Sequence, residues 1–270
     1  MKNFKKLTAL VLIVVMAVGM VACGGKETKD KNTSGSANDD NTFVVGFDQD
    51  FPPFGYVGDD GEFTGFDIEM AEECAKRMGQ KIVLQPIDWD AKDMELESGT
   101  IDCIWNGFAI NGRENQYTWT DVYMDNSQVV VVRKDSGIKT LDDLKGKNVE
   151  VQKESSAQSA IEDNEELKNS FAELRTVGEY NTAIMDLESG AVDAIAMDVF
   201  VAKDQIKDKT DELMILDEQI STEQYAVGFK KGNEELRDKV EDTLKEMVKD
   251  GTFAKISEKW FDMDVCILEP

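Results

Sequence analysis

The chain has 270 residues, with 30 Lys and Arg against 55 Asp and Glu, a net charge of −25 and no histidine. That length suits two lobes of about 100 residues each plus tails, and the acidic balance argues against nucleic acid, whose phosphates need a basic surface. The missing histidine excludes His-based triads, His general bases and His-containing metal sites.

Met1 to Ala22 has a basic start (Lys2, Lys5, Lys6) and an apolar run from Leu7 to Val21. It reads as an export signal, too short for a comfortable membrane span. Met20-Val21-Ala22-Cys23 resembles the lipobox of bacterial lipoproteins, in which the Cys becomes the lipidated N-terminus. Residues 23–41 are then a flexible tether of Gly, Ser, Thr, Asn, Asp and Lys. The other cysteines, Cys74, Cys103 and Cys266, show no CxxC spacing; Cys74 and Cys103 fall on apolar positions and read as small core residues.

Thr42 to Phe47 is an apolar strand running into a loop forced by Pro52 and Pro53, which holds Phe51 outside any strand. Asp59-Asp60-Gly61 reads as a hairpin tip and not a calcium loop, because no third carboxylate is suitably spaced. Gly65 to Met78 begins a helix with Ile68, Ala71, Cys74, Ala75 and Met78 inward, Asp67 as N-cap and Gly79 as stop. Strand Ile82–Leu84 follows, and Trp89 leads into the next helix.

That helix matters most, because Met94-Glu95-Leu96-Glu97-Ser98-Gly99-Thr100-Ile101-Asp102-Cys103-Ile104 recurs in diverged form 91 residues later as Met185-Asp186-Leu187-Glu188-Ser189-Gly190-Ala191-Val192-Asp193-Ala194-Ile195. Each copy reads as a helix stopped by Gly and followed at once by a buried strand. Two copies predict two similar α/β lobes. The residues just past each strand, Trp105 to Ala109 and Met197-Asp198, then face one another across a cleft. The β run Gln128–Arg133 carries the chain into the second lobe, and Gln224–Phe229 brings it back. Between them lie a short capped helix at Thr140–Gly146, strand Asn148–Val151, a helix with Ser156 as N-cap, strand Leu174–Val177, a helix from Val199 to Lys207, and strand Leu213–Leu216. Gly146-Lys147 is not a phosphate loop, lacking the further Gly and the Ser or Thr. Amphipathic helices at Asn233–Lys249 and Gly251–Phe261 close the chain.

Gly65-Phe66-Asp67-Ile68-Glu69-Met70-Ala71, preceded by Phe51-Pro52-Pro53-Phe54 and followed by Gly112-Arg113, resembles the signature of the extracellular solute-binding proteins of ABC importers for polar amino acids. The resemblance covers about residues 43–262. It implies a type II periplasmic-binding-protein-like fold: lobe 1 at 43–129 and 223–264, lobe 2 at 130–222, two crossing strands, and a ligand held between the lobes. It also implies a lipid-anchored monomer outside the cell membrane that binds no cofactor and delivers a free polar amino acid to an ABC permease. Arg113 offers a bidentate partner for the ligand carboxylate, helped by backbone N–H groups near Ser156, and Asp198 offers an anion for the ammonium. Phe51 and Trp89 sandwich the ligand body, and Asp48, Asn106 and Gln152 read its polar tip, with Gly107 and Ala109 completing the wall. Ala109 stands where the family commonly has Ser or Thr, so the carboxylate cradle leans on Arg113 and backbone. Sensor domains and a few enzymes share this architecture. A sensor would want a membrane segment and signalling domain, and an enzyme a further acid or base such as Asp48 or Glu154.

Overall fold

The computed structural model describes residues 41–270. The segments up to Asp40 expected to be an export signal and a tether, with Cys23 between them, lie outside the described residues. Two twisted sheets carry the two lobes. The first has the strand order Lys81–Pro86, Thr42–Phe47, Cys103–Ile104, Gly228–Phe229, Thr118–Trp119. Its first three strands run parallel, and Thr42–Phe47 is apolar on both sides, as a strand covered on both faces must be. Phe43 and Val45 pack into one cluster and Val44 into another.

The second sheet has the order Glu173–Val177, Asn148–Gln152, Ala194–Asp198, Met124–Arg133, Leu213–Ile215. Met124–Arg133 is one crossing strand. Ser221–Tyr225 is the other and runs antiparallel to it, with Tyr225 opposite Met124 and Ser221 opposite Gln128. The return run differs from the expected unbroken Gln224–Phe229. It starts earlier, breaks at Ala226 and Val227, and resumes as Gly228–Phe229, because its two halves pair with different sheets.

The repeat has the same structure in both lobes. Helices Lys92–Ser98 and Tyr180–Ser189 each end on a left-handed glycine, Gly99 at φ 78° and Gly190 at φ 80°. Each is followed by a strand of its sheet, Cys103–Ile104 and Ala194–Asp198. Leu96 and Leu187 are buried, whereas Met94 and Met185 face solvent. Cys74 and Cys103 are fully buried free thiols. The Asp59-Asp60-Gly61 tip lies between the paired strands Gly55–Val57 and Phe63–Thr64.

Helix Phe66–Met78 packs against helices Glu234–Lys249 and Thr252–Phe261, burying Phe66, Met70, Val240, Leu244, Met247 and Phe253. Its N-cap is Gly65 and not Asp67. Gly65 sits at φ 140°, where a Cβ would lie 2.2 Å from the Phe54 carbonyl oxygen, so only glycine fits this entry to the helix. Asp67 is instead turned into the interior with a different task, described next.

Candidate functional site

Ligand sites of open α/β sheets form beyond the carboxyl ends of the parallel strands, and the charged and polar candidates emerge there. Asp48 follows Thr42–Phe47, Asn106 follows Cys103–Ile104, Gln152 ends Asn148–Gln152, and Asp198 ends Ala194–Asp198. Phe51, Trp89, Asn106, Gly107, Ala109, Arg113, Gln152, Ser156 and Asp198 line one small, nearly filled cavity of about 10 Å³, to which Ser155 also contributes. Asp48 lies beside it, on the wall of a wider chamber of about 260 Å³ that shares Trp89 and is rimmed by Asp50, Asp88, Asp90, Lys153 and Glu179.

One wall of the inner cavity is anionic. The Asp198 Oδ1 accepts hydrogen bonds from Asn126 Nδ2 at 2.8 Å, from Gln128 Nε2 at 3.0 Å, and from the Tyr225 hydroxyl. The same two amides also donate to Glu223 Oε1, at 2.6 and 2.7 Å. Burial, with the charge of Glu223 next, pushes the Asp198 carboxyl well above the usual range. Two buried acids held by shared amides suit an arriving cation, which would offset both causes. Glu223, Asn126, Gln128 and Tyr225 were not among the sequence candidates. The available signal was the polar stretch Asp125-Asn126-Ser127-Gln128 opening a run of valines in a crossing strand.

The opposite wall is cationic. Arg113 is 9 % exposed and donates to the carbonyl oxygens of Ala109 at 3.2 Å and Glu154 at 3.2 Å. Its guanidinium lies 5.4 Å from the Phe108 ring centroid, and its own carbonyl takes the Trp119 Nε1 hydrogen bond at 3.1 Å. No carboxylate forms an ion pair with Arg113 among the described residues. Ala109 contributes its backbone oxygen to Arg113 and no side-chain hydroxyl to the cavity, in keeping with a cradle built from Arg113 and backbone.

Between the walls, Gln152 Nε2 donates to Asp48 Oδ2 at 2.6 Å, joining the lobes across the cleft. Burial pushes the Asp48 carboxyl up to about 6. Asn106 Oδ1 accepts from the Asp48 N–H at 3.1 Å, while its Nδ2 is buried without a partner. Phe51 is backed by Phe54 and Tyr180, with ring centroids 5.9 and 6.1 Å away. The helix after Gln152 spans Ser156–Asp163, and its cap is Ser155, whose Oγ accepts from the Gln158 N–H at 3.1 Å. Ser156 is therefore not the N-cap. Its hydroxyl is drawn to the anionic wall, 3.0 Å from Gln128 Nε2. Adjacent serines made the two positions equivalent to a propensity argument.

A cleft between two α/β lobes, with a cation on one side and an acid pair on the other, is the architecture of a solute-binding protein. The chain belongs to the bacterial extracellular solute-binding proteins, family 3, which match it over residues 43–263. It is 36 % identical over 258 residues to the L-cystine-binding protein TcyJ of Escherichia coli (strain K12), covering 94 % of this chain and 96 % of that one. It is 30 % identical over 261 residues to the arginine-binding extracellular protein ArtP of Bacillus subtilis (strain 168), covering 95 % and 98 %. Among solved structures, an ABC uptake transporter substrate-binding protein from Streptococcus pneumoniae with bound histidine superposes with a TM-score of 0.81 at 35 % identity, covering 84 % of this chain and 95 % of that one. Among the described residues, no helix is long and apolar enough to cross a membrane.

Proposed function

We propose that this chain is the substrate-binding lipoprotein of an ABC importer, capturing a free polar amino acid between its lobes and presenting it to a membrane permease. The observation that carries this reading is the pairing of Arg113, which has no carboxylate partner among the described residues, with the Asp198–Glu223 acid pair across one small cavity. An amino acid presents a carboxylate and an ammonium on a single carbon, so one head group meets both walls. Arg113 takes the carboxylate as a fork, and Asp198 takes the ammonium. The unpartnered Asn106 amide awaits an acceptor, and Phe51 and Trp89 enclose the body. The chamber beyond Asp48 receives the side chain.

We set the lobe limits at 43–129 with 223–264 and at 130–222, so that the chain passes from one lobe to the other within the crossing strands Met124–Arg133 and Ser221–Tyr225. The lipid on Cys23 rests on the sequence around it, and the amino-acid ligand is supported by the relatives named above, which include cystine, arginine and histidine binders. A thermal-shift screen of the twenty amino acids and L-cystine tests the reading, since a ligand at 100 times its Kd adds about 2.7 kcal/mol. At least one amino acid should raise the melting temperature and be recovered chemically unchanged. No shift with any of them would refute amino-acid capture, and a converted ligand would point to an enzyme.

A further inference from the structure

Glu154 lies in the second lobe, directly after the strand that ends at Gln152, and its backbone is left-handed at φ 58°. Only two non-glycine residues among the described ones adopt this region, which costs about 1–2 kcal/mol for a residue with a Cβ. Its side chain faces solvent, so the conformation serves no side-chain contact in the interior. What it does is turn the carbonyl oxygen into the first lobe. There that one oxygen meets Trp89 Nε1 at 3.2 Å, Arg113 Nη2 at 3.2 Å and Lys92 Nζ at 3.4 Å.

Lys92 is the unexpected member of this set. It opens the repeated helix, yet it is 3 % exposed. Its ammonium reaches only two carbonyl oxygens, of Trp89 and Glu154, both at 3.4 Å, which is long for a hydrogen bond. It lies 5.3 Å from the Trp89 ring centroid. Like Arg113, it has no ion pair among the described residues. Two buried cations therefore share one neutral oxygen across the cleft. The carboxylates of Asp93, Glu154 and Asp90 act on Lys92 only from beyond ion-pair distance, so the site has room for an anion in direct contact, and the carboxylate bound by Arg113 supplies it.

We propose that the Glu154 carbonyl is the catch on which the lobes close, and that Lys92 is a positioning residue of the carboxylate site, holding the catch beside Arg113 once an anionic head group is bound. This rests on the amino-acid reading of the cavity. Because the donors and the oxygen lie on different lobes, the contact exists only after closure. Lys92 therefore governs how long the ligand stays and leaves its rate of entry unaltered.

The test uses Lys92→Met, which keeps the stem and removes the charge, with Lys92→Gln as a second neutral variant and Lys92→Arg as the conservative one. Stopped-flow tryptophan fluorescence follows the amino acid that gives the largest shift in the screen, with L-arginine, L-histidine and L-cystine as named probes. The expected result for the neutral variants is a dissociation rate raised about tenfold, the low end of a charge-assisted hydrogen bond, with an association rate within twofold of wild type. Lys92→Arg should restore most of the loss. Wild-type binding together with an unchanged dissociation rate in Lys92→Met and Lys92→Gln would overturn the catch alone. A loss confined to the association rate would overturn it too. A wild-type protein that binds no amino acid would overturn the functional reading, and this proposal with it.

Discussion

The Asp67 Oδ2, in the first turn of helix Phe66–Met78, accepts the Gly107 N–H at 2.6 Å, and its Oδ1 takes the Tyr123 hydroxyl at 2.9 Å. A fully buried carboxyl thus ties the helix to the loop that lines the cavity and to the entrance of the first crossing strand. The acid of the Gly65-Phe66-Asp67 signature works as a brace for the site floor, 40 residues along the chain from the glycine it holds.

This brace makes stability depend on pH. Burial raises the Asp67 carboxyl to about 7. For an acid whose folded value lies above its unfolded value near 4, the folded state binds the extra proton, so stability is highest below about pH 4 and falls as pH rises towards 7. Asp67→Asn keeps an acceptor for Gly107 and removes the titration. Denaturant titrations from pH 4 to 8 should give a wild-type curve that falls relative to Asp67→Asn across that window. Parallel curves would show that Asp67 ionises as readily folded as unfolded.

Arg113→Ala should leave the folded protein intact and weaken amino-acid binding by roughly 3–5 kcal/mol, about 150- to 5,000-fold, because a carboxylate would be enclosed without its partner. Calorimetry with the best ligand of the screen measures this. A loss below about tenfold would move the carboxylate elsewhere in the cleft.

Asp198→Asn and Asp48→Ala should behave differently. Every amino acid shares the ammonium, so Asp198→Asn should weaken all accepted ligands together. Asp48 stands beside the wider chamber and meets the part that varies, so Asp48→Ala should reorder them. Calorimetry of both variants against a small panel decides the matter, and the opposite pattern would exchange the two roles.

Gly107→Ala probes the floor itself. Gly107 has φ 54°, and an added Cβ would lie 3.1 Å from Phe51 Cε1 and 3.2 Å from Tyr225 Cε2, both rigid ring atoms. The left-handed conformation costs about 1–2 kcal/mol with a Cβ, and the rings must also give way. Both melting temperature and ligand affinity should fall. A variant with lowered stability but wild-type affinity would show that the Phe51 wall adapts.

The rim offers a contrast with the catch at Glu154. Lys153 and Asp90 form an ion pair across the cleft at 2.7 Å, with side chains 54 % and 39 % exposed. Exposed pairs contribute about 0–1 kcal/mol, so Lys153→Ala should change Kd by less than about fivefold, and the effect should vanish in high salt.

Much of this was legible before any coordinates. The echo between Leu96-Glu97-Ser98-Gly99 and Leu187-Glu188-Ser189-Gly190 carried enough information for two lobes. The positions just past the two repeated strands then brought Asn106 and Asp198 to one cleft, and the family resemblance added Asp48 and Gln152. What escaped notice was whatever depends on how the lobes meet. Lys92 opens a short charged helix, and its burial beside Trp89 and the Glu154 carbonyl of the second lobe is a tertiary fact that no local pattern records. Glu223 sits in a crossing strand whose pairing with Asn126 and Gln128 is set by register and not by composition. Asp67 looked like a cap because acids at helix starts usually are; the left-handed entry at Gly65 moved the cap two residues earlier and turned the acid inward.

The placement of Gly228–Phe229 has a consequence for the order of assembly. This short strand sits between Cys103–Ile104 and Thr118–Trp119, so the first lobe's sheet lacks an interior strand until the second lobe has been laid down and the chain has returned. A chain emerging from its N-terminus cannot complete that lobe early, and the pairing it waits for is strongly non-local, the kind that slows folding. The second lobe, built from one unbroken stretch, has no such wait. Translocation that delivers the polypeptide unfolded would therefore leave the first half open, with Phe43, Val45 and Cys103 still accessible, until Gly228–Phe229 near the end of the molecule arrives.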